Sequence, residues 1–376
     1  MTDTNPTEPP STPISGDQDA PDGPDYGETS SSWVRRLAGA ATIAALAVGA
    51  YTGYWLFASH QLRGGIDGWI AERAAAGLTV TYGGLEIDGF PFWLTVRLEN
   101  PAALWIGDAP IEWRAPSIQA SARPWDLRNI DIDFGGRHEV SGPRRVTVTA
   151  RQLSAKLILG ARDAVNAHFE GAGIDAGFSR AGNLRLATLA WDINWLGDVG
   201  KTNTAPPIRF DVGLDGLVLP PAWSSPLGGD VESFRLTGHV SGPIGHPDDP
   251  AALRRWRDAG GTIEVARLAA DHGPARLRTS GTLALDTNLQ PVGAFTAHVE
   301  GFMDVVDALT RARVIKVGNA TAIKLVLTVV AKRPAGKTPY IEAPLSIQNR
   351  MLSFEKMRIL KLPRIDWSQL LGREIS

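Results

Sequence analysis

The side chains best suited to acid–base chemistry are two pairs of aspartates. Asp131 and Asp133 alternate with apolar residues, a pattern that places both on the wet face of a strand. Asp248 and Asp249 stand between prolines, which favours a turn. A general acid and base also need a partner group held close to them, and the sequence offers none at a defined spacing. We therefore predict no catalytic residue.

Phosphate-binding and metal-binding motifs are incomplete. Lys201 and Lys337 each lie between a glycine and a threonine, as at the end of a phosphate-binding loop. That loop needs a further glycine at the positions where Trp195 and Ala331 stand. The seven histidines show no pair at metal-ligand spacing, and the chain has no cysteine. We expect no metal, no cofactor and no enzymatic activity.

The distribution of charge narrows the range of partners. The first 32 residues hold seven of the 40 acidic side chains and none of the 38 basic ones. They are rich in proline, serine and threonine and contain almost nothing apolar, so we predict a disordered tail over 1–32. The rest of the chain is only mildly basic, and we expect no nucleic-acid partner.

A membrane-spanning helix is predicted over 33–59. Residues 37–59 contain no ionisable side chain other than tyrosine, and a helix of that length can cross about 30 Å of hydrocarbon. Aromatic residues near both ends suit the membrane interface, and two arginines before the span predict a cytoplasmic N-terminus. The predicted anchor residues are Trp33, Arg35, Arg36, Tyr51, Tyr54 and Trp55.

Three alternatives to this anchor stay open. A cleaved signal peptide has similar basic and apolar regions, although no small-residue cleavage site follows this run cleanly. A buried core helix would also be apolar. The orientation depends on two arginines, so the reverse insertion is the third alternative.

Residues 60–376 predict a mainly β domain. Apolar and polar residues alternate in many short runs separated by glycine and proline, which is typical of strands with one apolar face. We expect a large, twisted or curved antiparallel sheet, open or sandwich-like, with a few short helices. It forms one domain or two continuous β halves, and the best candidate for a break between halves is 196–206. The predicted strands include 92–98, 130–134, 153–159, 189–195, 208–214, 277–285, 323–329 and 341–347, and the predicted helices are 60–77, 251–258 and 302–313.

Several segments resemble a known family. The strongest mark is Gly89-Phe90-Pro91-Phe92, and a second is the closing run from Pro344 to Phe354. With the anchor region, they resemble the domain of unknown function 2125 family of α-proteobacterial envelope proteins over most of 50–365. One departure is Arg350, where a glycine is expected. The family has no assigned activity, so no functional residue transfers from it.

A second and more distant resemblance concerns the plan of the chain. An N-terminal anchor followed by many β-strands is similar to AsmA-like envelope proteins, which are linked to outer-membrane biogenesis and lipid transfer. The two resemblances and the anchor imply a protein of the bacterial inner membrane, with the N-terminus cytoplasmic and the main domain periplasmic.

Two functions compete on this basis. An open apolar sheet face would bind or guide lipid, and its candidate lining residues are Phe92, Leu94, Val96, Phe210 and Val212. If the same residues form a closed core, a structural or interaction module of an envelope complex is favoured, because exposed strand edges can pair with partner proteins. An envelope hydrolase is the outsider, since it needs a cleft with converging acids or a serine–histidine pair.

Overall fold

The computed structural model describes residues 30–75, 77–106, 110–161, 164–197, 208–223, 225–243, 251–336, 338–354 and 357–367. The chain divides into two units, Met1–Tyr54 and Trp55–Ser376. Nearly all of the predicted tail and of the predicted break at 196–206 lies outside the described residues, as do Asp248, Asp249, Lys201 and Lys337.

One long helix contains the predicted anchor. Helix α1 (Ser30–Ala75) continues without interruption through the segment predicted as a second helix at 60–77. Within the described ranges it is the one helix long and apolar enough, over Arg35–Ala75, to cross a membrane. The prediction of a single N-terminal apolar helix is confirmed. The chain turns away at Gly77, whose φ of 85° is the left-handed conformation that commonly follows a helix end.

In the part of the chain that the structure describes, three shorter helices follow, with a 3₁₀ turn at Pro221–Trp223. They are α2 (Ala252–Asp258), α3 (Phe302–Arg311) and α4 (Val317–Val330). Helices α2 and α3 confirm the predictions for 251–258 and 302–313.

Helix α4 replaces the strand predicted at 323–329, so that prediction is wrong. Isoleucine, leucine and valine occur both in strands and in packed helices, and a short apolar run does not separate the two. The polar residues Lys324 and Thr328 are four apart, which is the helical spacing, and the Thr328 hydroxyl donates to the Lys324 carbonyl oxygen at 2.8 Å. Leu327 packs beside Phe302 and Ile341, so contacts distant in sequence favour the helix.

Apart from these helices, the described residues form a single sheet of twenty strands in which every pairing is antiparallel. The predicted large antiparallel sheet with few helices is confirmed. The first ten strands are β1 (Leu78–Thr81), β2 (Gly84–Asp88), β3 (Leu94–Glu99), β4 (Ala102–Trp105), β5 (Ile111–Arg114), β6 (Ser117–Arg123), β7 (Asp126–Asp133), β8 (Arg137–Ser141), β9 (Val146–Thr149) and β10 (Gln152–Leu159). The last ten are β11 (Val165–Phe178), β12 (Gly182–Trp195), β13 (Ile208–Val218), β14 (Asp230–Ser241), β15 (Thr262–His272), β16 (Ala275–Leu285), β17 (Pro291–Glu300), β18 (Tyr340–Gln348), β19 (Met351–Phe354) and β20 (Met357–Lys361).

The first ten strands act in pairs as five longer strands, each bent near its middle. β3 pairs with β6 while its continuation β4 pairs with β5, and the same doubling recurs up to β11, whose two halves pair with β10 and β9. Backbone hydrogen bonds continue through the bends: Asn100 N donates to Pro116 O at 2.8 Å, and Ala150 N donates to Gly136 O at 2.7 Å. The strand breaks are therefore corners within one sheet.

Left-handed residues form these corners on every second strand. Asn100, Gly135, Gly173 and Gly216 have φ values of 46°, 71°, 59° and 63°. Glycine reaches this conformation at little cost, and a left-handed residue turns a strand away from its extended path. Gly173 is unpaired between β11 and β12, and Gly216 is unpaired between β12 and β13, while the pairing keeps the same register on both sides of each. The corner therefore passes from the paired strands into the long ones.

Gly216→Val tests the corner conformation. Valine held at this φ should cost about 1–3 kcal/mol of unfolding free energy, and its Cβ would lie 2.9 Å from Ala187 Cβ. The matched control is Gly318→Ala in α4, where a Cβ meets nothing within 4 Å. Thermal unfolding of the full chain in mild detergent should show a lower midpoint for Gly216→Val alone. Equal midpoints for the two variants would contradict this account of the bend.

Candidate functional site

Two rows of apolar side chains cross the sheet on one side. Directly opposite residues of antiparallel strands share a face, so the register links Val96 to Val212 and Leu94 to Phe210, strand by strand. We call the two rows the apolar face. The first row is Val96, Ala120, Ile132, Ala155, Phe169, Trp191, Val212, Leu236 and Leu268, and the second is Leu94, Ala122, Ile130, Leu157, Ala167, Ile193 and Phe210.

Four of the five predicted lining residues lie on the apolar face: Leu94, Val96, Phe210 and Val212. Phe92 does not, and its predicted place in a strand is wrong. It lies in the turn between β2 and β3 with 63% of its surface exposed. The turn begins at left-handed Gly89, whose carbonyl oxygen accepts a hydrogen bond from Trp93 N at 2.9 Å, so the strand starts only after that bond.

The apolar face lies on the inner side of the bend. Gly171 lies on the apolar side of β11, just before the corner at Gly173. A Cβ atom at Gly171 would contact Leu153, on one side of the corner, and Ile174, on the other. The apolar sides of the two halves of the sheet therefore meet at the corner. Leu153 is buried there, whereas Ala187 and Gly216 at the same corner are exposed. Burial on one side and exposure on the other is the arrangement of a sheet that bends toward its apolar side.

Most of the apolar face is only partly covered. Among its sixteen members only Leu94, Val96 and Ala122 are buried, and all three lie on β3 and β6. The Trp191 side chain is 45% exposed near the middle of the first row. Half-buried apolar side chains in consecutive strands are unlike a closed core, where large side chains lose nearly all contact with solvent.

Helices cover the sheet near its last strands. The buried pair Phe302 on α3 and Ile341 on β18 packs with Val299, Met303 and Leu327. Val299 and Ile341 are opposite each other in the register of β17 and β18, so this packing lies on one face of the sheet.

The opposite side of the sheet carries ionic and hydrogen-bonded pairs across strands. The Arg235 guanidinium donates to Asp215 at 2.7 Å, and the hydrogen bond holds the pKa of that carboxyl below its ordinary value. Arg278 donates to Asp271 at 2.7 Å, with Ser233 as a second donor. Because these pairs are partly exposed, each contributes modestly to the free energy of unfolding. Together they make one side of the sheet polar and the other apolar.

One histidine cluster on this polar side was not detectable from sequence spacing. His168 Nε2 lies 3.0 Å from Glu170 Oε1, and His168 Nδ1 lies 2.6 Å from Asp192 Oδ1. The register brings Asp192 opposite His168 although 24 residues separate them. Hydrogen bonds to Glu170 and then to Asp192 raise the pKa of His168 above its ordinary value. Both ring nitrogens face carboxylates, so neither is placed to activate a serine or a water.

The described residues show no group of three or more histidine, cysteine or acidic side chains arranged to hold a metal ion.

One predicted anchor residue, Trp55, contacts the turn between β2 and β3. This indole is 7% exposed, donates from Nε1 to the Trp93 carbonyl oxygen at 2.9 Å, and packs edge-on against Phe90 with ring centroids 5.6 Å apart. Trp33, Arg35 and Arg36 are exposed on α1, and the rings of Tyr51 and Tyr54 lie 6.5 Å apart. Their role as membrane anchor residues stays a prediction.

The His168 cluster makes a prediction about pH. Because folding raises the pKa of His168, the cluster stabilises the fold fully below the ordinary imidazole pKa of about 6.5, and this contribution is lost as pH rises through the folded pKa. An NMR titration of the ring should show the raised pKa. Glu170→Gln with Asp192→Asn should bring the pKa back toward its ordinary value.

The control for this titration is Asp211→Asn. Asp211 stands opposite Asp192 on β13, so the variant removes a charge from the same face and leaves both carboxylate contacts to the ring in place. An equal pKa shift in this control would mean that general surface charge, and not the two hydrogen bonds, raises the pKa of His168.

Comparison with known proteins gives one match. A family model described as an uncharacterized protein conserved in bacteria, DUF2125, matches residues 55–363. No curated protein and no solved structure matches the chain. The matched region starts at Trp55 and includes the 89–92 turn and all twenty strands of the sheet. The chain therefore belongs to the DUF2125 family.

Proposed function

We propose that this protein is anchored in the bacterial inner membrane and binds lipid acyl chains along its apolar face in the periplasm. The N-terminus is cytoplasmic in this proposal, because Arg35 and Arg36 precede the apolar span of α1. The role is binding or guiding, without a chemical step.

The observation that carries the proposal is the incomplete cover of the apolar face. A sheet that leaves consecutive half-buried isoleucine, leucine, phenylalanine and tryptophan side chains on its inner side lacks the apolar layer that such a face normally packs against. Acyl chains supply that layer and gain about 25 cal/mol for each Å² of apolar surface removed from water.

The polar side of the sheet favours binding over hydrolysis. His168 is the histidine there with carboxylates at both ring nitrogens, so it is not placed to act as a general base. A serine–histidine contact does occur between Ser225 Oγ and His272 Nε2 at 3.3 Å. The same Nε2 lies 3.0 Å from the Gly228 carbonyl oxygen, which only accepts, so this nitrogen holds a proton and is not placed to take one from the serine. Detection of lipid or peptidoglycan cleavage by the purified full chain would overturn the non-enzymatic part of the proposal.

Photocrosslinking at adjacent residues of β13 tests lipid binding directly. Val212 lies on the apolar face and Asp211 lies on the opposite side of the same strand. The full chain carrying p-benzoylphenylalanine at position 212 should form phospholipid adducts in membranes, detected by mass spectrometry, several-fold more than the same probe at position 211. Equal adduct yields, or none at either position, would overturn lipid binding.

A second candidate, an interaction module of an envelope complex, is favoured by helix α4. Val317, Leu325 and Val329 are strongly exposed on a helix whose Leu327 already packs inward, so α4 has apolar side chains on more than one side. A helix that is apolar all round is usually buried. Protein adducts in place of lipid adducts at position 212 would favour this second candidate.

A further inference from the structure

Two neighbouring turns form an exposed aromatic cluster beside Trp55. The β2–β3 turn contributes Phe90, Phe92 and Trp93, and the β6–β7 turn contributes Trp125. The turns are neighbours because Leu94 at the start of β3 pairs with Ala122 near the end of β6. We call Phe90, Phe92, Trp93, Trp125 and Arg123 the aromatic rim.

Arg123 joins the two turns. Its guanidinium carbon lies 5.0 Å from the Trp93 ring centroid and 5.7 Å from the Trp125 ring centroid. Phe92 and Trp125 nevertheless remain 63% and 57% exposed. Large aromatic side chains gathered at this exposure mark a surface that binds something apolar, and the neighbouring arginine suits a partner that is also anionic.

The position of Trp55 identifies that partner. Trp55 lies within the predicted span 33–59, close to its end, and its Nε1 donates to the Trp93 carbonyl oxygen at 2.9 Å. The aromatic rim is therefore tied to a residue that lies about one helical turn inside the predicted end of the span. Tryptophan and phenylalanine side chains commonly lie at the boundary between acyl chains and headgroups, and arginine is attracted to anionic phospholipid headgroups.

We propose that the aromatic rim inserts into the headgroup region of the phospholipid bilayer next to the anchor. The membrane surface would then contact Phe92 and Trp125. Phe92 lies two residues before Leu94, the first member of the second apolar row. This inference rests on the anchor of the proposed function but not on lipid binding by the apolar face, so the two can fail separately.

The opposite end of the same bent strand provides a matched control. Trp105 ends β4, is also exposed, and pairs with Leu78, which follows the end of α1. Ala75 lies twenty residues beyond Trp55, about 30 Å along a helix. The intervening His60, Arg63, Asp67, Glu72 and Arg73 would be costly in hydrocarbon, so Trp105 is expected in water.

Lipid-quenching fluorescence on the full chain tests the inference. The chain has no native cysteine, so Phe92→Cys, Trp125→Cys and Trp105→Cys each offer one site for an environment-sensitive fluorophore. The proteins are reconstituted in phosphatidylethanolamine–phosphatidylglycerol vesicles. Brominated phospholipid should quench the labels at positions 92 and 125 several-fold more than the label at 105, and aqueous iodide should show the reverse order. Circular dichroism of each variant confirms that it is folded.

Two results would overturn the inference. Free access of iodide to positions 92 and 125, with quenching by lipid no greater than at 105, would mean that the aromatic rim stays in water. Shielding of both positions from iodide and from lipid, lost when the protein is diluted into more lipid, would mean that a second copy of the chain covers the rim. The probe at Val212 could form no lipid adduct while brominated lipid still quenches the label at position 92. That combination would overturn lipid binding by the apolar face and would support insertion of the aromatic rim into the membrane.

Discussion

The whole sheet depends on a backbone register that keeps each row of apolar side chains on one face from strand to strand. Side chains alternate between the two sides of a strand, so one slip of a single residue would move every later apolar side chain to the polar side. The register keeps Val96 and Val212 on one face although six strand pairings separate them. Cross-strand pairs supply this accuracy, because among the described residues the buried cluster of Phe302 and Ile341 is small and lies near the last strands.

The bend lowers the cost of placing a single-layered sheet with one apolar side in water. Left-handed corners at Gly173 and Gly216 turn the apolar sides of the two halves toward each other, which reduces the apolar surface exposed to solvent. The outer side keeps its charge pairs, such as Asp215 with Arg235, where both groups stay hydrated. Glycine at the corners thus decides how much apolar surface the single layer exposes, and charge on the outer side opposes stacking with other sheets.

Sequence patterns predicted the strands and faces but not the corners or the clusters. The alternation of apolar and polar residues is sufficient to place four side chains on one face, since their neighbours on each strand are polar or lie on the other side. These four are Leu94, Val96, Phe210 and Val212. The alternation could not place Phe92, because the strand begins only after the turn closed by Gly89. Helix α4 and the His168 cluster depend on residues distant in sequence, which a local pattern does not contain.

If the apolar face binds lipid as proposed, the length of the second apolar row favours passage of the lipid over its storage. Beyond Phe210 the register continues through Gly238, Val265, Gly281 and Phe295 to Leu345 without a polar residue. With strands spaced about 4.8 Å apart, this path is about 50 Å long, against about 15 Å for one leaflet of hydrocarbon. An acyl chain in water loses about 0.8 kcal/mol for each exposed methylene, whereas a move between two apolar surfaces is nearly neutral. An uninterrupted row therefore lets a chain shift along the sheet without the large cost that a single polar gap would impose.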